Sequence, residues 1–301
     1  MIKNYNEVVF NIENGGKPIH CVYSYIDKSN PLIVLPPQFE KTIRTNMVPM
    51  LYLINNGFNV LRFDNTFHNG NSFGKIEQYN LKSALNDLIT VMDYVDESDE
   101  IESKSGIGLF GISISSRVIY RYLSSIPNKI DVLLSLVGVV DMQYTLKAIS
   151  GIDVVGEALK DPATRYGIRK LIKYPVDWDN FLKILIDNEM HTIETTKADI
   201  DKINTPTYLI VSEKDKWVNI DDYHKTFSDN EKILKKTYKI SNAGHELYKN
   251  PQAAEYAFHA IVGAFSEFWG RNNTEVIKPN IAEIIEHNRK ERAREFKYAK
   301  P

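Results

Sequence analysis

The sequence predicts an α/β fold, a mostly parallel central sheet flanked by helices, with a helical cap inserted in the second half of the chain. Three observations carry this. Short apolar runs alternate with stretches whose apolar residues recur at helical spacing, the mark of strand–helix–strand units. Several of those runs are apolar at every position, as strands covered on both faces require. The strand signals then stop near Met142 and resume only at Thr207.

Taken in order, Glu7–Ile12 and Ile19–Ile26 alternate around the turn residues Asn14-Gly15-Gly16 and read as an opening hairpin. Leu32-Ile33-Val34-Leu35 is a buried strand ended by Pro36-Pro37. Met47 to Ile54 places Met50, Leu51 and Ile54 on one helical face, and Asn56-Gly57 stops that helix. Val60 to Phe63 is the next strand. Leu81 to Val95 carries Leu81, Ala84, Leu85, Leu88, Val91, Met92 and Val95, an amphipathic helix. Ile107 to Phe110 is a strand, Ser113 to Leu123 a helix and Val132 to Val140 a strand. From Met142 to Ile203 only helical segments rich in Asp, Lys and Tyr are expected. Residues 142–203 are therefore read as a helical cap insertion, and residues 1–141 and 204–301 as the core. The core resumes with the strand Thr207–Val211, a helix near Asp221–Phe227, a strand near Lys236–Ile240 and a helix from Pro251 to Trp269.

A formal net charge of −2 gives no whole-molecule attraction to nucleic acid or anionic lipid. The single cysteine, Cys21, rules out an intrachain disulfide and is read as a buried thiol within a strand. The opening Met-Ile-Lys-Asn-Tyr-Asn-Glu lacks an apolar leader region, and no apolar run is long enough to span a bilayer. The expected address is cytoplasmic.

The chemistry is announced at Gly106-Ile107-Gly108-Leu109-Phe110-Gly111-Ile112-Ser113-Ile114-Ser115-Ser116-Arg117. A strand runs into small-x-Ser-x-small and then a helix, which is the nucleophile-elbow pattern of the α/β-hydrolase fold. The turn is so sharp that only small residues fit two positions either side of the serine. A serine hydroxyl needs a base, and the base needs an orienting acid, in the chain order nucleophile, acid, histidine. Asp215 follows the strand ending at Val211, and His245 follows the strand ending near Ile240. The expected triad is Ser113, Asp215 and His245. Glu213 and Asp141 are the competing acids, the latter at the end of the preceding strand. His20, His191, His224, His259 and His287 lie on strand or helix segments and read as surface or packing residues.

An oxyanion hole takes two backbone N–H donors. One is assigned to Ile114, after the nucleophile. The other must come from the loop beyond Pro36 and Pro37, which have no N–H, so Phe39 is chosen over Gln38. Gln38, His68 and Trp217 are placed at the substrate, His68 on the loop after a strand in a structural or pocket-lining role. No zinc-ligand spacing, phosphate-binding loop or dinucleotide glycine motif is present, and the chemistry calls for no cofactor or metal.

With these residues placed, the chain resembles the acyltransferases of bacterial bioluminescence, the myristoyl-ACP-specific thioesterases. The similar segments are Gly57–Asp64, Ile107–Val118, Val137–Val140, Asp215–Val218 and the charged run Asn288-Arg289-Lys290-Glu291-Arg292. The resemblance implies release of a fatty acyl chain from acyl-carrier protein, or CoA, to feed an acid-reducing complex. It departs at Pro37–Thr42, where the family pattern is Ser-Gly-Phe-Ala-Arg-Arg, and through 158–180 of the cap. The basic residues Arg289, Lys290, Arg292, Arg294, Lys297 and Lys300 are either a dock for an acidic carrier or a solvated terminal helix. A type II editing thioesterase, a carboxylesterase and a non-catalytic binding protein on the same fold are the alternative readings.

Overall fold

The chain enters its sheet through a hairpin. β1 (Asn6–Asn14) and β2 (Lys17–Tyr25) pair antiparallel around Gly15 and Gly16. Their φ values of 58° and 77° supply the two left-handed residues that a type I′ turn demands. The computed structural model describes residues 5–102, 104–230, 232–271 and 275–298. The strands β3 (Leu32–Leu35), β4 (Asn59–Phe63), β5 (Ile107–Ile112), β6 (Val132–Leu136), β9 (Thr207–Ser212) and β10 (Leu234–Ile240) complete an eight-stranded sheet of order β1-β2-β4-β3-β5-β6-β9-β10. From β4 to β10 every pairing is parallel. β3 to β6 and β9 are buried at every position, the burial their unbroken apolar runs required.

Helices cover both faces. α1 (Met47–Asn55) and α9 (Pro251–Phe268) close one face over Ile33, Leu35, Phe110 and Leu134. α2 (Leu81–Glu97), α3 (Ile114–Ser125) and α8 (Ile220–Phe227) close the other over Val34, Leu109 and Leu133. Asn80 caps α2 by accepting the Ser83 N–H at 2.8 Å, and Pro251 opens α9 at a position where its missing N–H costs nothing. Cys21 is fully buried.

Two expectations need correction. β6 stops at Leu136, because Val137 turns to φ 42° after its N–H has made a last bond, 2.8 Å, to Ile210 O of β9. The segment 142–203 is not wholly helical. Between α4 (Met142–Ser150), α5 (Val154–Lys160), α6 (Trp178–Asp187) and α7 (Ile193–Ile200) stands an antiparallel hairpin of β7 (Ile168–Leu171) and β8 (Tyr174–Asp177). Ile168, Arg169 and Lys170 are exposed, so this strand has no apolar alternation to announce it.

The terminal helix α10 (Ile281–Lys297) packs back on the sheet edge through buried charge. Arg62 of β4 lies 3.5 Å from Glu7 and 3.2 Å from Glu291, and Arg294 pairs with the same two carboxylates. Lys290 also pairs with Glu7. Two cations of the basic run thus dock their own helix, while Arg289, Arg292 and Lys297 face solvent. Lys300, and the first four residues of the opening segment, lie outside the described residues. No described helix is long and apolar enough to cross a membrane.

Candidate active site

Ser113 occupies the turn between β5 and α3 at φ 54° and ψ −125°, a backbone region that a non-glycine residue adopts only when its surroundings hold it there. The surroundings are visible. A Cβ on Gly111 would stand 2.7 Å from Ser116 Oγ and 3.0 Å from Ser116 Cα, so a side chain there would push α3 off the strand. On the other side Ser115 Oγ accepts the Ile112 N–H at 2.8 Å and donates to the Ile112 carbonyl at 2.9 Å. Ser116 Oγ meets Ser135 Oγ, which takes the Tyr120 hydroxyl. Both neighbouring hydroxyls are therefore committed to building the turn, and Ser113 presents its own to the cavity.

The loops after β9 and β10 bring the partners. They are stitched together where Lys214 N–H donates to Ala243 O at 2.8 Å and Ser212 Oγ donates to Ala243 O at 2.6 Å. Ser113 Oγ lies 2.7 Å from His245 Nε2, and His245 Nδ1 lies 2.7 Å from Asp215 Oδ2. The other Asp215 oxygen accepts the N–H groups of Trp217 at 2.8 Å and Val218 at 3.0 Å. Since Asp215 can only accept, Nδ1 carries the proton and Nε2 is free to take one from Ser113, the tautomer this network assigns. The Trp217 ring lies 4.7 Å from the imidazole at 36°. The competing acids are employed elsewhere. Asp141 caps α4, accepting the Tyr144 N–H at 3.0 Å, and burial raises its pKa. Glu213 sits at the surface, 3.7 Å from Lys239.

Above Ser113 opens a cavity of about 370 Å³. Gln38, Phe39, Ile114, Trp217 and His245 line it together with Ser113. One apolar wall comes from Val48 and Pro49 of α1 with Ala254, Ala257 and Phe258 of α9, the other from α4 and the tip of the cap hairpin. Ile114 and Phe39 are buried at this floor, and among the described residues neither N–H is taken by a protein acceptor. Ile114 also opens α3, whose positive end faces the cavity.

Of the three residues that the sequence places at the substrate, His68 is the one the structure moves, since it is not among the cavity-lining residues. It is buried beneath the loop, where its Nε2 accepts the Glu40 N–H at 2.8 Å and its ring meets Phe39 edge-on at 5.7 Å. It meets the loop that carries Phe39 from outside the cavity lining. Reading it as a substrate contact followed from its place after a strand end, which cannot tell a rim from an underside.

Two supports of the same loop escaped sequence reasoning. Asp64 accepts the N–H groups of Ile43 and Asn71, each at 2.8 Å, and burial pushes its carboxyl up to about 6. Glu40, at φ 64°, pairs with Lys41 at 3.3 Å and with Lys173 of the cap hairpin at 3.2 Å. Lys173 has no sequence signal, because the ion pair exists only once the β7–β8 hairpin has folded against the Glu40 loop. Among the described residues, one group of side chains could hold a metal, Glu7, His287 and Glu291. Its carboxylates already carry Arg62, Arg294 and Lys290, so it serves as the dock of α10.

With this geometry in place, comparisons with known proteins extend it. Residues 23–290 match a family model described as acyl transferase. The chain is 26% identical over 231 residues to the acyl transferase of Photobacterium phosphoreum, covering 74% of this chain and 71% of that protein. It is 23% identical over 240 residues to that of Photorhabdus laumondii subsp. laumondii, covering 78% and 75%. Among solved structures it is similar to Est1E from Butyrivibrio proteoclasticus with ferulic acid bound, at a TM-score of 0.67 and 16% identity over 88% of this chain and 100% of that one. It is also similar to the Paleococcus ferrophilus monoacylglycerol lipase, at 0.63 and 17% over 88% and 99%. These two likenesses are of fold, and the fold is the α/β-hydrolase fold that the elbow motif predicted.

Proposed function

The chain belongs to the acyl transferase family, enzymes that transfer or hydrolyse acyl groups, and on that premise we propose that it cleaves a fatty acyl thioester through a covalent acyl-Ser113 intermediate. The observation that carries the reading is the continuous chain Ser113–His245–Asp215, two contacts of 2.7 Å, at the floor of an apolar cavity. Ser113 Oγ attacks the thioester carbonyl as its proton passes to His245 Nε2. The oxygen of the tetrahedral intermediate takes its negative charge against the Ile114 and Phe39 N–H groups. On collapse the C–S bond breaks, and His245 returns the proton to the departing sulfur. Water, or another nucleophile, then gives a proton to His245 and attacks the acyl-Ser113 ester. On collapse the C–O bond to Ser113 breaks and His245 passes that proton to Ser113 Oγ, freeing the serine. The carrier is acyl-carrier protein or CoA.

Incubation with mixed acyl-CoA thioesters followed by intact-mass measurement tests this. An adduct of acyl mass on the wild type, absent from Ser113→Ala, is the expected result. Thioester cleavage at the wild-type rate by Ser113→Ala would overturn it, since removing a nucleophile costs several orders of magnitude in turnover. The esterase and lipase neighbours favour one second reading, hydrolysis of oxygen esters. A kcat/KM higher on short p-nitrophenyl esters than on acyl thioesters would select it.

A further inference from the structure

We propose that Ile172, at the tip of the cap hairpin, and Ile149, at the far end of α4, gauge the length of the acyl chain, an inference that rests on the acyl-Ser113 chemistry above. α4 starts beside the nucleophile, because the segment leading into it donates the Val139 N–H to the Ser113 carbonyl at 3.0 Å. Met142, Thr145, Leu146 and Ile149 all line the cavity, and their spacing places them on one helical face. The face is fixed in place, for Thr145 Oγ1 donates to the Trp217 carbonyl at 2.7 Å and so ties α4 to the acid loop. The lining face therefore runs along α4 from the helix start that follows the Val139–Ser113 contact. From Met142 to Ile149 the helix rises about 10 Å, and an extended hydrocarbon advances about 1.3 Å per carbon once the bond angle is projected, so the face spans on the order of eight carbons.

The hairpin tip, Leu171 and Ile172, lines the same cavity as α4. Leu171 pairs with Tyr174, leaving Ile172 and Lys173 as a two-residue loop. Of these two, only Ile172 has positive φ, 57°, which makes its position the first central residue of a type II′ turn. That position belongs to glycine, and a β-branched residue there is strained. Core packing does not explain the choice, since Ile172 is 40% exposed. What the strain secures is a branched apolar side chain at the cavity rim. The rim is held by its neighbour, as Lys173 pairs with Glu40 at 3.2 Å beside the loop that carries Phe39.

The experiment compares wild type, Ile172→Gly, Ile172→Ala and Ile149→Phe on p-nitrophenyl esters of about four to eighteen carbons, with melting temperatures. Glycine releases the strain and opens the rim, so Tm should rise by about 2–4 °C while turnover of the longest chains, relative to eight carbons, rises at least about fivefold. Ile149→Phe fills the far end and should shift the optimum to shorter chains by a similar factor. Each variant's profile is normalised to its own eight-carbon rate, so a uniform loss of turnover counts as no shift in chain-length preference. A chain-length profile unchanged by both Ile172 variants and by Ile149→Phe overturns the gauge and leaves the acyl-Ser113 reading standing. A wild type that turns over no ester of the series and forms no acyl adduct overturns both.

Discussion

Replacing His68 with alanine separates a residue that holds the oxyanion loop from one that touches substrate. The substitution deletes the acceptor of the Glu40 N–H, 2.8 Å away, and the edge-on partner of Phe39. A half-buried amide left unpaired costs about 1 kcal/mol, and the space vacated by the buried imidazole brings the stability loss to roughly 2–3 kcal/mol. The catalytic loss has a separate origin. Glu40 is held at φ 64° directly after Phe39, so in the proposed mechanism its relaxation swings the Phe39 N–H away from the developing oxyanion. Loss of one such donor costs at most about 100- to 1000-fold in kcat. A loop that drifts without leaving should lose about 10- to 100-fold in kcat, with a smaller change in KM because the α1, α4 and α9 parts of the lining stay in place. His68→Gln, whose amide oxygen can accept the same N–H, should recover most of the rate. Steady-state kinetics on a short p-nitrophenyl ester and on acyl-CoA, beside urea unfolding, read both effects. A kcat within twofold of wild type in His68→Ala, with the unfolding midpoint lowered, would refute the link between His68 and the oxyanion donor.

Three further outcomes follow from the same geometry. Asp215→Asn keeps an oxygen for the Trp217 and Val218 N–H groups but turns an N–H₂ towards His245. The imidazole is then forced into the tautomer that cannot accept from Ser113, and kcat should fall on the order of 10⁴-fold with little change in thermal stability. Gly111→Ala must open the β5–α3 contact by several tenths of an ångström and should cost about 1–3 kcal/mol in chemical denaturation, with activity lost in proportion to elbow distortion. Glu291→Gln leaves Arg62, fully buried, with Glu7 alone, and should destabilise the fold by about 3–5 kcal/mol at neutral pH. In the wild type, burial raises the Glu291 carboxyl, but His287, Arg62 and Arg294 outweigh it and hold it at about 2, below its ordinary 4.5. A depressed carboxylate stabilises fully above pH 4.5 and loses that contribution as pH falls towards 2. Urea midpoints between pH 7 and 3 should therefore fall less steeply in the variant, and equal slopes in both proteins would remove the ion pair from the account.

How much of this was legible in the sequence depends on how local the cause is. The buried strands and the elbow could be read because their causes sit within a few residues, whether covered apolar runs or a glycine crowded by the next helical turn. Asp215 and His245 could be read because the fold fixes their order along the chain. Long-range causes left no local mark. Arg62 in a buried strand is intelligible only once Glu291, 229 residues later, returns to meet it. His68 took its true role from Glu40 and Phe39 across another loop. The hairpin β7–β8 was missed for the opposite reason, that its local signals contradict the structure, with exposed charged residues in the strand and isoleucine in a glycine position. That kind of miss is informative. Seven described non-glycine residues have positive φ, and four of them, Glu40, Ser113, Val137 and Ile172, line the cavity above Ser113. A fold shaped by stability alone would scatter such residues among its surface turns. Their gathering around one cavity means that local preference was overruled there for the sake of geometry, and the places where sequence rules fail mark the site.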